Sequence, residues 1–306
     1  MLQTRGTAVT GSGTAPSARS TRLPADPAVP VEVFERAGRV VRPGQRLGQL
    51  VPRRPEGVTG NQWNAAARAL LDFVVSGSDG RAASFAVEFV DASTQTAQTQ
   101  RGDRMKQAVC DAVGLGLLRI ESGTLQPVTH GRRILEYVLD ARAFRDATGD
   151  PADYAELAPD GPLSYRDIVG RLPDGSRGHV NDLGAVARAA AVEAYVDREL
   201  VDPILRSLHA VWVGGPAQGW AWLQVRPGEY LFEQVRIWQH RFSCGVEPGR
   251  LAEDLATMAV GERLRLRDAV ELPLAGRARL TDALDALRHR RDELENPYAF
   301  DHIAFD

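Results

Sequence analysis

The hydrophobic pattern of this chain changes period twice between residues 70 and 120. Leu71, Phe73 and Val75 alternate with Asp72, Val74 and Ser76. Ser78, Asp79 and Gly80 follow with turn chemistry, and alternation resumes with Phe85, Val87 and Phe89 set against Ala86, Glu88 and Val90. Period two on both sides of a Gly-containing turn predicts a β-hairpin. The period then lengthens. Met105, Ala108, Val109 and Ala112 recur at helical spacing within 96–113, and Gly114 suits a helix end. The apolar run 115–120 predicts a buried strand. The order strand, strand, helix, strand predicts a right-handed crossover if the last strand runs parallel to its neighbour.

On either side the pattern is plainer. Residues 31–51 hold a short element and then a strand-like piece, 52–61 are a Pro/Gly-rich loop, and 63–70 form a short helix. Beyond 130 the spacing predicts a helix over 132–145, a loop over 149–163, and a long alanine-rich helix over 180–207 that ends near Pro203. Strands follow at 209–213, 219–226 and 230–240, and helices at 249–259 and 279–294. Residues 1–30, with Pro24, Pro27 and Pro30 and no acid before Asp26, read as a tail. The expected organisation is an α/β domain at 31–130 followed by an α+β domain at 131–306.

Composition limits the function classes. The 306 residues suggest about two domains as a soft prior. Hydrophobic residues make up 43% of the chain, enough to bury a core, yet no apolar run approaches a membrane span. The two cysteines, Cys110 and Cys244, make no disulfide framework and no zinc motif, which fits a bacterial-type cytoplasm. The histidines lack metal-ligand spacing, and no phosphate-binding loop, dinucleotide fingerprint or nucleophile elbow appears. Charge is uneven. Residues 31–135 carry fourteen Lys+Arg against ten Asp+Glu, while 136–306 carry twenty against twenty-nine. A basic segment in an acidic chain still attracts phosphates, so nucleic acid is a candidate partner.

One residue stands out. Of the 37 Lys+Arg, only Lys106 is a lysine. Arginine does not replace lysine where a compact ammonium must sit against an anion. Lys106 shares a helix face with Asp103, three residues away. That pair is either a surface ion pair or part of a site in which Lys106 points back over the hairpin. An odd-numbered loop centred near 79 or 80 puts Asp72 and Glu88 on one face, within reach of a shared cation. A two-residue Asp79-Gly80 turn puts them on opposite faces. Asp91 is either a third ligand or a strand-end cap. Arg119, inside an apolar strand, needs an anion, either a carboxylate of this chain or a phosphate.

These residues resemble a bacterial family known as domain of unknown function 2726, regarded as a branch of the restriction-endonuclease-like PD-(D/E)XK superfamily. The resemblance rests on Leu71-Asp72-Phe73-Val74-Val75, on Val87-Glu88-Phe89-Val90-Asp91, on Asp103-Arg104-Met105-Lys106, and on Gly114 to Ile120. Arg46 to Val51 resembles the upstream strand and loop, so about residues 38–122 are covered. The resemblance implies a restriction-endonuclease-like α/β core, a mixed sheet flanked by helices, with the second α+β domain after it. It also implies a divalent-metal-dependent phosphodiesterase acting on DNA or RNA. Asp72 and Glu88, with Asp91, would bind Mg²⁺ or Mn²⁺, and Arg104 and Arg119 would contact substrate. The superfamily lysine falls where this chain has Val90, and Lys106 would supply it from the helix. The alternative is a catalytically degenerate domain that binds nucleic acid or protein.

Overall fold

The computed structural model describes residues 32–80, 82–94, 96–148, 166, 168–171, 177–267 and 273–295. The expected tail at 1–30 and the expected loop at 149–163 lie outside them.

β1 (Phe34–Arg36) and β2 (Arg39–Arg46) form an antiparallel ribbon. α1 (Leu47–Leu50) and α2 (Gly60–Ala66) lead to the hairpin of β3 (Leu70–Gly77) and β4 (Ala83–Val90). α3 (Ala97–Val113) then crosses to β5 (Gly116–Ser122), which pairs parallel with β4. Both ends of α3 are set by local chemistry. The Thr96 side chain accepts from the Thr99 N–H at 3.2 Å, and Gly114 closes the helix at φ 69°.

α4 (Pro127–Thr148) follows, then a small separate ribbon of β6 (Val169–Arg171) and β7 (Arg177–His179), and α5 (Ala185–Val196). β8 (Arg206–Val211), β9 (Ala217–Arg226) and β10 (Glu229–His240) form a meander, followed by α6 (Pro248–Arg265), β11 (Ala275–Gly276) and α7 (Arg277–His289). Among the described residues the main sheet has nine strands in the order β1-β2-β3-β4-β5-β10-β9-β8, with β11 on β10. β10 pairs antiparallel with β5. One sheet therefore continues from the first half of the chain into the second, across residue 130.

Helices cover both faces, so this is a mixed α/β fold. On one face Phe73, Val87, Ile120, Leu231 and Ile237 pack with Ile134, Ala191 and Leu255 from α4, α5 and α6. The opposite face carries two separate clusters. Val74, Ala86 and Leu117 meet Val109 and Cys110 of α3, while Trp220 and Trp222 meet Leu280, Leu284 and Leu287 of α7.

The acid-bearing face of the hairpin is covered: Val74, Ala86 and Glu88 are all buried, because α3 packs over it. Two expectations change. The helix expected over 180–207 spans only Ala185–Val196. It stops at Asp197, and Arg198 turns left-handed at φ 64° ahead of Pro203. The short helix expected over 63–70 ends at Ala66, since Leu70 already pairs with Arg46 in the sheet.

α6 is tied to the sheet by a polar knot. Glu253 accepts from Ser207 Oγ at 2.7 Å and lies 2.7 Å from His209 Nδ1, while Glu247 flanks the other side of the ring. Burial alone would push His209 down, but the hydrogen bonds and charges of Glu247 and Glu253 outweigh it and lift the imidazole to about 9. Burial would raise Glu253, yet the His209 and Ser207 hydrogen bonds bring it to about 2.

The folded histidine binds its proton more tightly than the ordinary value of 6.5, so its contribution is complete below that pH and fades as pH rises through about 9. At about 1.4 kcal/mol per pH unit, the span from 6.5 to about 9 corresponds to a contribution on the order of 3 kcal/mol. Thermal melts from pH 6 to 9.5 should show a steeper loss of Tm in the parent protein than in His209→Gln. Parallel curves would remove this role.

Candidate active site

The register of the hairpin assembles the site. Phe73 lies opposite Val87 and Val74 opposite Ala86, which sets Asp72 opposite Glu88 on one face. This is the odd-loop arrangement. The register shifts only between Val75 and Ser76, on the turn side of the acids. Glu88 is in turn the partner of Arg119 on β5, and Arg119 the partner of Trp238 on β10. Asp72, Glu88, Arg119 and Trp238 thus form one row across four neighbouring strands.

α3 lowers its charged residues onto that row. Lys106 is only 9% exposed, with Nζ 2.6 Å from Glu88 Oε1 and 3.2 Å from Asp103 Oδ1. Arg119 Nη2 lies 2.9 Å from Asp103 Oδ1 and 3.5 Å from Glu88 Oε2. The anion that Arg119 needed is therefore supplied by two carboxylates of this chain. Asp72 Oδ2 accepts from the Phe89 N–H at 2.7 Å. Burial pushes Asp72 up to about 6. The Phe89 N–H and Lys106 pull against it, and the Glu88 charge adds to the rise.

The remaining expected residues divide. Arg104 is exposed on α3, with no ion pair or hydrogen bond among the described residues. Asp91 does not join the cluster: its Oδ1 accepts from Ser93 N at 2.8 Å and Ser93 Oγ at 2.7 Å, a turn cap just beyond β4. Of the two readings of Asp91, the structure shows the strand-end cap, while Asp72 and Glu88 stand opposite each other. Among the described residues, no group of three or more His, Cys, Asp or Glu side chains is arranged to hold a metal ion.

The two remaining acids still suit a hard cation of the Mg²⁺ type, which is often held by one or two carboxylates together with water and substrate phosphate. Glu88 Oε1 is buried and meets the Lys106 ammonium at 2.6 Å. A carboxylate oxygen has a second lone pair, so a cation beside Asp72 would share this oxygen with Lys106.

Sequence reasoning missed the contribution of β10. His240 Nδ1 lies 2.9 Å from the Gln107 amide of α3, and burial lowers the imidazole below its ordinary value. No spacing rule links residues 107 and 240. Cys110, one turn beyond Lys106, is pushed up to about 12 by burial and is not a nucleophile.

The fold and site define an α/β protein with an acid–ammonium cluster clamped between its central hairpin and its crossover helix. Residues 54–137 match the model of the family described as Protein of unknown function (DUF2726), and this segment belongs to that family. It spans α2 to the first half of α4 and so contains Asp72, Glu88, Asp103, Lys106 and Arg119. No curated protein and no solved structure matches the chain. No helix among the described residues is long and apolar enough to cross a membrane.

Proposed function

We propose that this protein is a divalent-metal-dependent phosphodiesterase acting on DNA or RNA, with a site of the PD-(D/E)XK kind in which the lysine has moved to the helix. The observation that carries the reading is the seating of the chain's solitary lysine on a strand carboxylate whose neighbour on the adjacent strand is a second acid: Nζ is 2.6 Å from Glu88, and Asp72 stands opposite Glu88. Stability alone is a poor reason for such a cluster. Apolar side chains of similar volume often serve a buried site as well as ion pairs do. A carboxyl group raised by burial, as Asp72 is, beside a second acid and an ammonium is a mark of chemistry.

In this reading Asp72 and Glu88 hold Mg²⁺ or Mn²⁺, which supplies Lewis acidity and lowers the pKa of bound water. Lys106 orients the attacking water and screens the charge that builds on the phosphate. Asp103 and Arg119 position Lys106 and Glu88. Arg104 is free to meet a neighbouring phosphate. A cytoplasmic setting belongs to the same proposal, since Cys110 and Cys244 are both buried and unpaired.

A second reading is favoured by one observation. Glu88 already faces both Lys106 and Arg119, so much of its charge is balanced within the protein. The same cluster would then be the structural centre of a non-catalytic module that binds nucleic acid or protein.

Cleavage of labelled single- and double-stranded DNA and RNA with Mn²⁺, Mg²⁺ or chelator separates the two. The parent protein should cleave with metal, and Asp72→Asn, which keeps an acceptor for the Phe89 N–H, should lose at least about 10²–10³-fold. Equal cleavage by Asp72→Asn, or none by the parent with either metal, removes the enzymatic reading. Binding that falls with salt yet ignores chelator would then support the module.

A further inference from the structure

The sheet face beside the cluster has an uncovered stretch. α3 covers it over β3 to β5, and α7 covers it over β8 to β10 through Trp220 and Trp222. Between the two helices the floor carries Trp238 and Arg236 of β10 and Glu121 of β5. Arg236 and Glu121 pair at 3.2 Å, with the arginine side chain 45% exposed.

Trp238 differs from the other tryptophans of this region. Trp212, Trp220 and Trp222 are buried, and Trp212 also donates from Nε1 to Gln218 and lies beneath Arg290. Trp238 is half-buried, and it has no hydrogen bond or ring partner among the described residues. It stands directly across from Arg119, which stands across from Glu88. Two strand spacings separate its backbone from that of Glu88, roughly 10 Å. A strand that rises 3.4 Å or more per nucleotide covers this distance in about two or three nucleotides.

We infer that Trp238 is a stacking platform for an unpaired nucleobase a few nucleotides from the scissile phosphate, so that the preferred substrate is single-stranded nucleic acid or a duplex with a splayed end. This rests on the nucleic-acid reading of the site. An indole face takes any base but needs that base out of the duplex stack. Arg236, on the same face two residues away, offers a guanidinium to the backbone of the same strand. The platform comes from β10, outside the matched segment 54–137. The second half of the chain thereby supplies substrate selection to a site built by the first.

The test is run in chelator, where binding is read without turnover. Anisotropy of labelled single-stranded deoxy- and ribo-oligonucleotides and of a blunt duplex is measured for the parent, Trp238→Ala and Trp238→Phe. Stacking predicts single-strand binding about 5- to 100-fold weaker for Trp238→Ala, a much smaller change for Trp238→Phe, and little effect on the duplex. An abasic site walked along the strand should weaken the parent at one position and leave Trp238→Ala indifferent there. If Trp238→Ala does not fold, the abasic walk on the parent and Trp238→Phe decides the matter. Unchanged binding by Trp238→Ala, or an abasic walk without a sensitive position, overturns the platform. Metal-dependent cleavage by the parent in a parallel assay would leave the phosphodiesterase reading standing in that case. A parent protein that neither binds nor cleaves any strand ends both.

Discussion

Lys106→Met is expected to lower metal-dependent phosphodiester cleavage by roughly 10²–10³-fold, the size seen when one preorganised electrostatic group is removed from a transition state. The substitution keeps an unbranched chain of similar reach and removes only the ammonium. Glu88 would keep Arg119, 3.5 Å from Oε2, so the carboxylate is not left without a cation. The fold should therefore survive, at a cost of about 1–3 kcal/mol for the lost ion contact. Asp72 would ionise less readily, because Lys106 is one of the groups that hold it down against burial.

Lys106→Arg should not restore activity. Lys106 is 9% exposed, and its ammonium sits between two carboxylates at 2.6 and 3.2 Å. A planar guanidinium, larger and already represented there by Arg119, does not fit that volume. Cleavage by Lys106→Met within threefold of the parent, with the protein folded, would assign Lys106 a purely structural role.

Gly219→Ala should be the most damaging single-methyl change in the second half of the chain. A Cβ there would lie 2.2 Å from Ala252 O, 2.3 Å from Ala252 C and 2.4 Å from Glu253 N. All three are backbone atoms of α6, so no side chain can swing aside. The helix itself would have to lift off β9, and it carries Leu251, Leu255, Ala256 and Val260 fully buried in the main core. Overpacking typically costs 1–3 kcal/mol, and a clash with rigid backbone belongs at or above the top of that range, about 3 kcal/mol or more. For a chain of 306 residues that corresponds to a fall in Tm of roughly 5 °C or more.

Gly102→Ala is the control. Gly102 lies within α3 with nothing within 4 Å of its added Cβ, so alanine should be neutral or stabilise by about 0.5–1 kcal/mol. Similar melting temperatures for the two variants would mean that α6 and β9 are not packed this closely. His209 and Glu253 sit at the same helix–sheet junction, so the Gly219 change should also flatten the pH dependence tied to that pair.

Much of the site was legible because its determinants are local. Period two around Gly80, helical spacing ending at Gly114 and the apolar run of β5 each report on a few consecutive residues. The singular lysine needed only the composition. Asp91 stayed open between ligand and strand-end cap because an acid at a strand end looks the same in sequence whether it faces a cation or caps a turn; the structure shows it capping the turn. The alanine-rich stretch ran too long as a helix because propensity alone does not mark where the chain turns left-handed at Arg198.

The chain by itself determined the hairpin, the crossover helix and the identity of the acids and the ammonium that meet there. Those follow from alternation, helical spacing and side-chain chemistry within about fifty residues. Only the tertiary structure decided that α3 presses Lys106 onto Glu88, that Arg119 is balanced from within, and that β10 joins β5 to lay Trp238 and His240 beside the cluster. Pairing between residues 116–122 and 229–240 depends on complementary surfaces far apart in the chain, and no local period encodes which strand edge another strand will choose.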